Sequence, residues 1–93
     1  MYIYQLEQDR DWSELEALLK CWEEFSEFSK ASIDDSDEEI LEEGFDVIQT
    51  ILSYFETRGF TAKEIAAGFE KHNAKLENRG WDRRAVWEVK EVE

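Results

Sequence analysis

Apolar residues recur at helical spacing in three stretches of this chain and alternate with polar ones near both ends. Tyr2, Tyr4 and Leu6 share one side of residues 2–6, which are rich in aromatic and β-branched side chains and predict a short strand. Leu15, Leu18, Leu19, Trp22 and Phe25 follow the i, i+3, i+4, i+7 pattern of an amphipathic helix. Asp11, with Glu14 three positions on, supplies a capping pair, so this helix is expected over residues 12–29.

Ser36 followed by Glu39 forms a second capping pair and opens the next helix. Leu41, Phe45, Ile48, Leu52 and Phe55 make one apolar stripe along it, and Ile40, Val47, Ile51 and Tyr54 make another beside it. A helix apolar over so much of its girth is expected to be central and buried, with Trp22 and Phe45 in the core. Arg58 and Gly59 end it, because glycine suits the left-handed position after a helix. Thr61 with Glu64 caps a third helix over residues 62–79, with Ile65, Phe69, His72 and Leu76 on its apolar line and Gly80 as its stop. Ala85, Trp87 and Val89 then alternate with Glu88 and Lys90, which predicts a strand. The expected fold class is α+β and mostly helical: β-α-α-α-β, three packed helices with the terminal strands paired antiparallel, in one compact acidic domain spanning residues 1–93.

Charge changes this picture more than composition does. Charged residues make up 38% of the chain, yet the periodic apolar ones argue for a folded domain. The net charge of −13 opposes binding to nucleic acid or to an anionic membrane and favours basic partners. Residues 1–57 hold 17 Asp/Glu against Arg10, Lys20 and Lys30, a balance of −14, whereas residues 58–93 balance at +1. Cys21 is the single cysteine, and the chain opens without a basic-then-apolar leader, so a cytoplasmic location is expected.

Catalytic signatures are missing. His72 and Cys21 lie far apart with no motif around either; His72 is expected as a partly buried packing residue and Cys21 as a small hydrophobe. Four glycines form no phosphate loop. A calcium loop started at Asp35 would need glycine where Ile40 stands. The expectation is a protein that is not an enzyme, with no cofactor and no metal site.

Thr61-Ala-Lys-Glu-Ile-Ala66 resembles the first half of a helix-turn-helix unit, but the expected turn and second helix do not follow, and the charge has the wrong sign for DNA. The acidic stretch Asp34–Asp46 holds eight carboxylates in thirteen residues and no base. A helix N-terminus is served by two or three acids, and further like charges repel. Candidate partner-binding residues are therefore Glu23, Glu24 and Glu27 on the first helix, and Asp34, Asp35, Asp37, Glu38, Glu42, Glu43 and Asp46 beyond it. Phe28, off the first apolar stripe and beside Glu27, is a candidate contact anchor or a packing residue against Ile33. In size and charge, with no shared motif, the chain resembles the small acidic nucleic-acid mimics of phages and mobile elements that inhibit restriction enzymes or CRISPR effectors. That resemblance implies an inhibitor of a basic nucleic-acid-binding protein, acting as a monomer or homodimer. A looser similarity to acidic immunity proteins and antitoxins implies a basic nuclease toxin as partner, and a non-inhibitory helical adaptor is the remaining alternative.

Overall fold

The computed structural model describes residues 12–82, and among them the chain forms three helices: α1 (Glu14–Asp34), α2 (Asp37–Thr57) and α3 (Ala62–Asn78). The expected α+β class is thereby corrected. The described residues are 83% helical and contain neither strand nor sheet. The segments 2–6 and 85–89, read as paired terminal strands, lie outside the described residues. Contacts divide the chain at Gly59–Phe60 into a unit holding α1 and α2 and a unit holding α3.

Local chemistry sets the helix ends. Ser13, rather than Asp11, caps α1: its hydroxyl accepts from the Glu16 N–H at 3.1 Å, and the Glu16 carboxylate accepts from the Ser13 N–H at 3.3 Å. The helix runs on to Asp34 instead of stopping near residue 29, and Ser29 and Ser32 stay helical by donating to the carbonyls of Phe25 and Ser29. Ser36 caps α2 through the Glu39 N–H. Thr61 and Glu64 close the expected box on α3, each bond 3.1 Å. Gly59 and Gly80 take positive φ of 88° and 84°, as their place after a helix requires. After α3 the Gly80 N–H bonds the Glu77 carbonyl and the Trp81 N–H bonds that of Leu76, the paired bonds of a Schellman motif.

Only Asp35 and Ser36 connect α1 to α2, both extended, so the chain reverses and the helices pack as an antiparallel hairpin. At its open end Arg58 meets Glu14 across the pair (3.6 Å); the contact is exposed and of small energetic worth. The seam between the helices sets small residues on one side against larger ones on the other. The buried positions of α1 are Ala17, Glu24 and Ala31, recurring every seven residues. Phe28, on the same side, lays its ring over Gly44, where an added Cβ would stand 3.3 Å from the ring edge. Ile40, Val47 and Tyr54, again seven apart, form a half-buried apolar row on α2.

This seam overturns the expected core. Trp22 and Phe45 are 65% and 57% exposed. Leu15, Leu18, Leu19 and Phe25 of the α1 stripe and Leu41, Ile48 and Ile51 of α2 are exposed with them. No described α2 residue is fully buried, so α2 is not the buried central helix that its composition implied. The physical reason is geometric. A two-residue connection and close approach at Ala17, Ala31 and Gly44 bring together the flanks where side chains are small, and the large ones are turned about a quarter to a third of a turn away at ~100° per residue.

Two glycines should respond oppositely to substitution. Gly68 sits mid-α3 with nothing within 4 Å of an added Cβ, so Gly68→Ala should raise stability by about 0.5–1 kcal/mol. Gly44→Leu would press into Phe28 and should lower stability by roughly 1–3 kcal/mol. Denaturant melts of the two variants against the parent chain check both signs.

Candidate functional site

The hairpin gathers charge of one sign. Residues 14–57 hold 14 Asp/Glu against Lys20 and Lys30. Asp34, Asp35, Asp37, Glu38 and Glu42 are exposed around the reversal and along the start of α2, and Asp46 is half-buried further on. On α1, Glu23 and Glu27 are exposed and Glu24 is buried. Lys20 reaches both Glu24 (3.0 Å) and Glu23 (3.5 Å), one and nearly one turn ahead of it. The hydrogen bond that Lys20 donates to Glu24 raises the Lys20 pKa above its ordinary value, with burial opposing and the charges of Glu24 and Glu23 adding.

The convergence of two helices is what the sequence did not reveal. Glu24 and Glu27 of α1 and Glu43 of α2 bring carboxylate oxygens within 4.8 Å of one another. Glu43 Oε2 is buried and accepts no hydrogen bond. Desolvation of this oxygen raises the Glu43 pKa, and the like charges of Glu27, Asp46, Glu24 and Glu42 raise it further. Three carboxylates are a donor set that suits a hard divalent cation, although Lys20 already neutralises part of this one. Counted at ~100° per residue, the apolar stripe of each helix lies across the seam from these acids. The hairpin therefore has an acidic flank and an apolar flank on opposite sides.

The remaining candidates fall as follows. Phe28 is half-buried on Gly44 and tilted against Phe25, ring centroids 6.5 Å apart, so its ring helps to hold the hairpin together. It packs across to α2 rather than projecting from the acidic flank. Ile40 lies within α2, and the helical backbone there leaves no calcium loop. Cys21 is half-buried. His72, expected to be partly buried, is exposed in a shallow cleft along α3 with Lys71, Lys75 and Arg79. Those three bases stand four residues apart on one side of α3, a row hidden in the sequence by the near-neutral balance of that half.

No helix among the described residues is long and apolar enough to cross a membrane. No protein-family model matches the chain, and comparison with curated proteins and with solved structures found no similar one.

Glu43 sets the sign of a pH response. Its folded pKa lies above the unfolded value of 4.5, so across the interval between them the folded state binds more protons than the unfolded one. Stability then falls as pH rises through that interval and is recovered on protonation. The melting temperature should decline as pH rises above the ordinary carboxylate range. Glu43→Gln should melt higher than the parent at neutral pH and show a shallower decline. Thermal melts of both proteins across this range measure it; parallel curves would remove Glu43 as the source.

Proposed function

We propose that this chain is an acidic protein-binding inhibitor whose carboxylate flank occupies the basic substrate groove of a nucleic-acid-handling protein, of the restriction or CRISPR-effector kind, in the cytoplasm. The supporting observation is the meeting of Glu24, Glu27 and Glu43 from two helices, with Glu43 held at a raised pKa. A surface needed only for solubility gains nothing from drawing like charges together and desolvating one of them. A surface that replaces a phosphate backbone needs that density, fixed on a rigid frame.

Dimensions agree with this reading. Each hairpin helix has 21 residues and so is ~31 Å long, the length of about nine base-pair steps at ~3.4 Å each. Direct binding to nucleic acid is opposed by the same charge. A basic groove offers the complementary field, which steers encounter and is screened by salt.

The association rate with such a partner should fall several-fold between low and physiological ionic strength, read by stopped-flow or surface binding. Neutralising Glu38, Glu42 and Glu43 to Gln and Asp46 to Asn should weaken binding and inhibition while leaving the melting temperature unchanged or higher. A salt-independent association rate, or a neutralised variant that inhibits as well as the parent, would refute the mimic. Ser36 and Glu39 stay unchanged in this test because the Ser36 hydroxyl caps α2 at the Glu39 N–H.

A further inference from the structure

We propose that the apolar flank of the α1–α2 hairpin is the contact surface between two copies of this chain. This inference does not depend on the inhibitory reading, because it concerns the opposite side of the hairpin. Seven large apolar side chains stand on that flank at roughly half exposure, about 100 Å² each, which leaves roughly 700 Å² of apolar surface. The largest apolar patch of an ordinary monomer is roughly 300–600 Å². A stable protein interface takes about 800 Å² from each partner. The flank is therefore too large for a free surface and the right size for a dimer.

Charge and shape select the second copy. Along α1 the flank runs through Leu15, Leu18, Trp22 and Phe25, with Ser26 and Ser29 between and beyond; none is charged. Along α2 it runs through Leu41, Phe45 and Ile48, with the exposed Glu38, three residues before Leu41 and seven before Phe45, in line with them in the first turn. Two molecules of net charge −13 can meet on this side with most of their acids kept on the far sides, Glu38 lying at the edge of the contact. Both rows belong to helices of 21 residues joined by a two-residue connection, so the flank is equally long on both edges and can pair with itself about a two-fold axis as a four-helix bundle. The α3 helix offers only Ile65, Phe69 and Leu76 as large apolar residues against seven. A basic partner would be drawn to the acidic flank instead.

Sedimentation equilibrium of the full chain, over a hundredfold concentration range reaching about 100 µM, tests the proposal. The expected mass is twice that of the 11.1 kDa chain. Raising salt should tighten the dimer, because it screens the mutual repulsion and has no cross-interface ion pair to weaken. Trp22→Glu and Phe45→Glu should each raise the dissociation constant about 30-fold or more with helical circular dichroism kept. Should either variant lose its helicity, Leu15→Ser and Leu41→Ser probe the same flank through smaller rises, about 5-fold, in the dissociation constant. A monomer at every concentration overturns the proposal and leaves another part of the chain or a different protein to cover the flank. A dimer that all these substitutions leave intact also overturns it, by placing the interface elsewhere.

Discussion

The structure depends on a helix–helix seam in which small residues of α1 meet a half-buried row of Ile40, Val47 and Tyr54 on α2. Ala17, Glu24 and Ala31 recur at seven-residue intervals, and Phe28 lies against the one glycine of α2. Small residues let two helices come close, and a seven-residue repeat keeps the same flanks together along their length. Once those flanks meet, the rest follows by rotation. Residues about 100° to one side carry carboxylates, and residues about as far to the other side carry Leu, Ile, Phe and Trp. The two surfaces of the hairpin are consequences of which narrow strip of each helix is used up in packing.

Glu24 shows how charge is accommodated in such a seam. A carboxylate with a side chain 12% exposed is costly to ionise unless it is paired. Lys20, one turn earlier, supplies the pairing at 3.0 Å while its stem stays partly exposed. Glu43 has no such counterpart among the described residues, and its buried Oε2 lies among like charges. That local conflict is of the kind expected where a surface serves something other than stability.

Helix identity is legible in the chain, and helix partnership is not. Ser36 and Thr61 with Glu64 announce their caps, and Gly59 and Gly80 their stops, because each depends on bonds within a few residues. Pattern alone starts the first helix too early, because Ser13 and Glu16 form their box two residues beyond Asp11 and Glu14. It also ends that helix too soon, since the serines that suggest a stop bond back to helical carbonyls. The seam escapes because apolar periodicity points to the largest side chains, and here those are 65% exposed at Trp22 and 57% at Phe45. Alanine and glycine at 17, 31 and 44 leave almost no hydropathy signal, although a seven-residue recurrence of small residues is there to be found. Of the candidate site, the density of acids is readable. The meeting of Glu24 and Glu27 with Glu43 requires the antiparallel register, and Phe28 can be assigned to the seam only with Gly44 seen opposite it.

A single arrangement thus connects the alanine seam, the crowded carboxylates and the uncovered apolar side. Its most direct test is isotope-filtered nuclear Overhauser spectroscopy on an equal mixture of labelled and unlabelled chain. Contacts between the Phe28 ring and Gly44 are expected within one chain, and Trp22 and Phe45 are expected to add contacts between chains to those with their neighbours on the same flank. Absence of the Phe28–Gly44 contact within a single chain would contradict the arrangement, since Phe28 and Gly44 would then not face each other between α1 and α2.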